Sequence, residues 1–209
     1  MRIRGLLLAA GLMAAAGAHA QALPKPAEFY FEADALAVRP IVAVRETGEA
    51  ATQKLLRAIQ RNPRAVAERA QLAHIAMEAG RVELGRQLYT DALARVTASD
   101  GLYRPLLWNY GWDLYRSGDD EAALKQWQQL AAARNSTASW IPTTLAMVLW
   151  SLERKEEAVQ WYAAAVRTEP TQWLTTARYA QLLPDWKESE RATLAEVHAA
   201  WVANPPTWP

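Results

Sequence analysis

The chain has 209 residues, 51% of them hydrophobic and 22% charged, a balance typical of a globular protein and too apolar for general disorder. Its 23 basic and 22 acidic residues nearly cancel, so no basic field points to a nucleic acid partner. The sequence contains no cysteine, which excludes disulfide bonds and thiolate chemistry. Apolar residues recur at three- and four-residue spacing, and this periodicity predicts an all-α fold.

The first 20 residues have the layout of a secretory signal peptide. The start "MRIR" is basic, the run "GLLLAAGLMAAAG" is apolar, and "AHA" places small residues where a signal peptidase cleaves. Cleavage is expected before Gln21. The apolar run from Gly5 to Ala18 is shorter than the roughly 20 residues that a transmembrane helix needs. The pattern therefore predicts an exported, periplasmic protein.

Residues 21–47, called the N-terminal arm below, differ in composition from the rest of the chain. They hold three prolines, the only two phenylalanines of the chain and a β-branched run from Ile41 to Val44. This composition predicts an extended or irregular arm. The tail at residues 204–209, "NPPTWP", is also expected to be extended, because proline opposes helix formation.

Residues 48–203 contain a repeated helix–turn–helix pattern. Three stretches beginning at Ala70, Trp108 and Thr143 each read as a helix, a short polar turn and a second helix. Five residues after a fixed turn position comes a small residue, and four residues later comes a large aromatic one. The turn, small and aromatic positions of the three copies are Gly80, Gly85 and Tyr89, then Gly118, Ala123 and Trp127, then Glu153, Ala158 and Tyr162.

This pattern resembles the tetratricopeptide repeat, which has a period of about 34 residues and a second helix with A-x3-F followed by a proline. The third copy matches best, with Ala158, Tyr162 and Pro170 at the positions of that pattern. The period also reaches Ala51 and Ala192, which predicts a partial repeat at the start and a degenerate capping repeat at the end. The resemblance implies an α-solenoid of antiparallel helix pairs, wound as a right-handed superhelix over residues 48–203.

The first helix of the second copy carries two apolar stripes. One stripe faces the partner helix, and the other holds Trp108, Trp112 and Tyr115 at helical spacing. The concave groove of tetratricopeptide proteins commonly receives a peptide, so the resemblance implies that the second stripe lines such a groove. The expected groove residues are Trp108, Trp112, Tyr115, Trp140, Met147 and Trp150, with His74, Asn109 and Arg116 at the groove edge.

Two other interpretations of these aromatic residues stay open. Trp108, Trp112 and Trp150 are equally compatible with core packing, as Trp127 and Trp161 on the second helices are expected to be. Alternatively, the N-terminal arm itself fills the groove with its aromatic triplet, residues 29–31. Three further tryptophans near the end of the chain, Trp173, Trp186 and Trp201, are expected to seal the C-terminal end of the fold.

The sequence shows no catalytic or metal-binding motif. His74 and His198 do not have the spacing of metal ligands, and no nucleotide-binding glycine loop is present, so a protein without enzymatic activity, cofactor or metal is expected. The predicted function is a periplasmic scaffold or adaptor for a protein or peptide of a cell-envelope assembly, touching the membrane only through its partners. The alternative is a glycan-binding accessory protein, since tryptophan rings stack on sugars. That alternative predicts exposed, coplanar rings flanked by carboxylates and amides.

The signal-peptide pattern makes a direct prediction about the mature protein. Protein recovered from a periplasmic fraction should begin at Gln21, because "AHA" precedes that residue. N-terminal sequencing checks this, and recovery of the protein with Met1 retained in the membrane fraction would contradict it.

Overall fold

A computed structural model of the chain describes residues 23–26, 29–133 and 137–207. The predicted signal peptide and the last two residues of the tail lie outside these ranges. Within them every regular element is a helix, no β-strand occurs, and no helix is long and apolar enough to cross a membrane. The α-helices are α1 (Gly48–Arg61), α2 (Val66–Glu78), α3 (Val82–Leu93), α4 (Tyr103–Arg116), α5 (Asp120–Ala132), α6 (Trp140–Ser151), α7 (Lys155–Thr168), α8 (Pro170–Trp173), α9 (Tyr179–Leu182) and α10 (Glu188–Ala203).

Three consecutive helix pairs, α2 with α3, α4 with α5 and α6 with α7, form the body of the fold. Each pair is joined by a three-residue turn and packs together closely, which makes its two helices antiparallel neighbours. The turns are equivalent: Gly80, Gly118 and Glu153 have φ values of +75°, +84° and +59°. The residue after each of these, at positions 81, 119 and 154, donates its backbone amide to the carbonyl five residues before it, at 2.8, 3.0 and 2.9 Å. The repeat predicted from spacing is therefore present in the backbone.

The two helices of a pair approach closely because small residues face large ones. The three aromatic positions of the repeat are fully buried, and so are the small positions beside them. At Gly111 on α4, an added Cβ would lie 2.4 Å from Nε1 of Trp127 on α5, so only glycine fits there. The prediction that Trp127 and Trp161 belong to the core is confirmed, with 0% and 4% of their surface exposed.

The outer units differ from the three pairs. Helix α1 is a single helix that packs on α2 and buries Ala51 and Leu55, in line with a partial repeat. At the other end the expected degenerate repeat does not form a packed pair. Residues 170–182 fold into two single-turn α-helices separated by a 3-10 helix, and Ala192 is exposed on α10. Helix α10 packs instead against both helices of the third pair.

The described part of the N-terminal arm has no helix and runs past the three pairs in reverse order. Tyr30 is buried with its ring centroid 5.9 Å from that of Trp161 on α7, whereas Phe29 and Phe31 are exposed. The next residue, Glu32, forms a backbone bridge with Ala138, immediately before α6. The phenylalanines therefore do not fill a groove, although the arm itself docks on the helices.

Further along, the arm is held by side chains of α4, α6 and α2. The carboxylate of Asp34 accepts hydrogen bonds from Arg104 and from Nε1 of Trp140. Asn109 then donates to the backbone carbonyl of Arg39 at 2.8 Å. Finally, the carboxamide of Gln71 on α2 accepts from the amides of residues 43 and 44 and donates to the carbonyl of residue 44, each at 2.8 Å.

The close packing within pairs predicts the effect of enlarging one small residue. Ala158 is 0% exposed, so Ala158→Leu should lower the free energy of unfolding by about 1–3 kcal/mol through overpacking. Ala192 is exposed on a helix, and Ala192→Leu should change stability by no more than about 0.5 kcal/mol. Urea unfolding of both variants checks this, and equal losses would contradict the assigned packing.

Candidate functional site

A cavity of about 590 Å³ lies against α2, α4 and α6, the first helices of the three pairs. These three helices are called the inner helices below, and their cavity-lining faces the inner faces. The N-terminal arm contacts α4 at Arg104 and Asn109, and the segment after α7 contacts it at Trp112 and Arg116. The second contact is about 10 Å further along the helix axis. The cavity is bounded by the arm on one side and by residues 169–186, called the C-terminal segment below, on the other. Its volume is in the range of ligand-binding pockets.

Five tryptophans line this cavity, and four of them contact one another mainly edge to face. Trp112 is the centre of the cluster, with ring centroids of Trp108 and Trp186 at 5.6 and 5.1 Å and interplanar angles of 81° and 70°. Trp140 meets Trp108 at 5.3 Å and 66°. The fifth, Trp173, lies on α8. Such contacts fix the rings firmly but give no coplanar platform.

The structure brings together half of the predicted groove residues. Trp108, Trp112 and Trp140 line the cavity, and all three expected edge residues, His74, Asn109 and Arg116, line it as well. Trp108 is partly exposed, whereas Trp112 and Trp140 are 7% and 8% exposed. These two residues therefore line the cavity and also belong to the hydrophobic core.

Tyr115, Met147 and Trp150 do not line the cavity. Met147 is 0% exposed and offers no surface to a ligand. Trp150 donates its indole N–H to Glu196 of α10 at 2.8 Å, and its ring is covered by the Lys155 ammonium, 3.9 Å from the ring centroid. These three residues therefore lie outside the cavity, and α10 packs on α6 beside Trp150.

Beside the tryptophans, one buried carboxylate links the first two helix pairs. Asp113 on α4 is 4% exposed; its Oδ1 lies 2.9 Å from Nδ1 of His74 on α2, and its Oδ2 accepts from the Tyr89 hydroxyl of α3 at 2.6 Å. Both carboxylate oxygens are thus satisfied by neighbouring helices. Burial raises the pKa of Tyr89 well above 10, so this phenol stays a donor.

The histidine of this network lines the cavity, and its second ring nitrogen lies near another carboxylate. The hydrogen bond that His74 donates to Asp113 raises the pKa of His74 above its ordinary value of 6.5, against a smaller opposing effect of burial. Because the Asp113 carboxylate accepts the hydrogen bond, Nδ1 of His74 carries a proton. Nε2 is therefore an acceptor in the neutral ring and a donor in the protonated ring. Nε2 lies 3.5 Å from the exposed carboxylate of Glu78.

Arg116 joins the cavity wall to the C-terminal part of the chain. Its guanidinium bonds both carboxylate oxygens of Glu190 at 2.8 and 3.2 Å, and it donates to the backbone carbonyl of Asp185. The same group lies 4.9 Å from the ring centroid of Trp112. These contacts hold the C-terminal segment against α4, where Trp186 packs on Trp112.

Sequence reasoning missed the cavity residues outside the helical repeat. These are the apolar arm residues and the polar residues of the C-terminal segment, among them Val38, Ile41, Glu169 and Asp185. The sequence analysis assigned Asp113 no buried partner, although a carboxylate in the middle of an aromatic stripe signals one. Among the described residues no group of three or more histidine, aspartate or glutamate side chains could hold a metal ion.

No family model matches the chain, and no curated protein sequence matches it.

The His74–Asp113 contact predicts a pH-dependent part of the stability. Because the folded-state pKa of His74 is raised, the contact stabilises fully below about pH 6.5, and this contribution is lost as the pH rises through the raised pKa. The wild-type chain should therefore exceed His74→Gln in unfolding free energy by more at about pH 5.5 than at about pH 8.5. Urea unfolding at both pH values checks this.

Glu78→Gln is the matched control, because Glu78 affects His74 less than Asp113 does. This variant should retain most of the pH dependence. If the difference between wild type and His74→Gln were the same at both pH values, the assignment of the raised pKa would be contradicted.

Proposed function

We propose that this chain is an exported adaptor of the tetratricopeptide-repeat kind that binds a short, extended peptide segment in the tryptophan-lined cavity. In this proposal the three helix pairs belong to a right-handed solenoid. The protein acts in the periplasm, and the bound segment belongs to a protein of a cell-envelope assembly. The signal-like residues 1–20 and the repeat pattern support the location and the family.

The observation that carries the proposal is the way the chain's own arm lies against the same helices. Asn109 binds one backbone carbonyl of the arm, and Gln71 binds two amides and a carbonyl. Both side chains also line the cavity. The inner face of α2 and α4 thus recognises extended backbone through carboxamides, and the cavity beside the arm has the size to take a further short segment.

The ring geometry favours a peptide over a glycan. Sugar binding by tryptophan needs an accessible ring face, but the faces of Trp112 are covered by neighbouring rings and by Arg116. The edge-to-face cluster instead forms a rigid apolar floor, which suits anchoring of one side chain. The proposed role of the site is binding rather than catalysis.

The proposal predicts that Trp108 is a binding anchor. It is the most exposed of the tryptophans on the inner helices that line the cavity, so Trp108→Ala should weaken partner binding by at least about 2 kcal/mol, roughly thirtyfold. The partner is first isolated by affinity capture from an envelope extract, and its binding segment is then titrated as a synthetic peptide.

Trp201→Ala is the control for this test, because Trp201 is partly buried on α10 and does not line the cavity. It should leave affinity unchanged. Equal affinities of the wild type and Trp108→Ala for the isolated segment would overturn the proposed site.

A further inference from the structure

The two sides of the cavity differ in chemistry. The N-terminal arm contributes an apolar side, formed by Val38, Pro40, Ile41 and Val42. The C-terminal segment contributes apolar residues such as Trp173 and Leu183 together with two acidic residues, Glu169 and Asp185. Between them lies the tryptophan floor. A side chain that fits all three surfaces has an apolar stem and a charged end.

The charges that remain unbalanced in the cavity are negative. Arg116 is paired with Glu190 outside the cavity, and Asp113 is satisfied by its contacts with α2 and α3. Glu169 accepts one hydrogen bond from Gln172 at 2.7 Å, and among the described residues neither Glu169 nor Asp185 pairs with a basic side chain. The C-terminal side thus carries two carboxylates available to a cation.

Other cavity groups also suit a cationic donor. Tryptophan rings attract cations, and two such contacts already occur in this chain, at Trp112 with Arg116 and at Trp150 with Lys155. Thr144 lines the cavity, is 1% exposed, and its Oγ1 has no hydrogen-bond partner within the described ranges. A ligand that brings N–H donors would satisfy this hydroxyl.

We infer that the cavity selects a lysine or arginine side chain of the bound peptide. The aliphatic stem packs on the arm side and the tryptophan floor, and the cationic end lies at Glu169 and Asp185. The inference rests on the proposed function, since it names the chemistry of the segment that this function requires.

The test is a selection from a displayed library of random nonapeptides on the immobilised full chain. Peptides with lysine or arginine should be enriched. Selection on the double variant Glu169→Gln, Asp185→Asn should lose this enrichment, whereas the control Glu83→Gln, Glu121→Gln should keep it, because its two acidic residues are exposed and do not line the cavity. An enriched peptide with its basic residue replaced by norleucine should bind at least about tenfold more weakly, as read from tryptophan fluorescence.

The possible outcomes separate the two proposals. Enrichment of peptides without basic residues would overturn the inference and leave the peptide-binding function supported. Basic enrichment that persists on the Glu169→Gln, Asp185→Asn variant would also overturn it, because the cation would then bind elsewhere. A selection that enriches no peptide at all would overturn the proposed function and the inference with it.

Discussion

The close approach of two helices across a small residue is the contact on which the rest of this structure depends. The indole edge of Trp127 occupies the space above Gly111 that any side chain would fill, and equivalent buried aromatics serve the other two pairs. In each pair the first helix packs on the second helix with one face only. Its inner face therefore remains available for contacts with other parts of the chain. These inner faces carry Gln71, Asn109 and three of the cavity tryptophans, Trp108, Trp112 and Trp140.

The parts of the fold that could be predicted from the sequence are those that repeat locally. A turn residue, a small residue and an aromatic at fixed spacing specify a helix pair, and the shared left-handed turn at Gly80, Gly118 and Glu153 matches that spacing. The end of the chain could not be predicted in this way. Its alanines continue the period, but the prolines at 170 and 184 divide the region into short helices, and α10 packs by contacts that no local pattern encodes.

The same distinction between local patterns and contacts between distant segments explains which residues of the site could be predicted from the sequence. The stripe of Trp108 and Trp112 follows from helical spacing alone, so the floor of the cavity was predictable. Its two sides come from segments far away in sequence, held by single polar contacts such as Arg116 with the backbone carbonyl of Asp185 and Arg104 with Asp34. Nothing in the spacing of residues 21–47 or 169–186 indicates those contacts. For the same reason, the contact of Trp150 with α10 could not be predicted from the sequence.

The docking of the arm has a consequence for how the chain reaches its native state. The backbone amide of Tyr30 donates to the hydroxyl of Thr168, a contact that spans 138 positions in sequence. The helix pairs, by contrast, close through contacts between neighbouring helices and can form early. Residues near the start of the chain must therefore wait until α7 has been synthesised and folded before they find their place. During that interval the inner faces of α2, α4 and α6 are uncovered, and the tryptophan-rich surface is exposed to other chains.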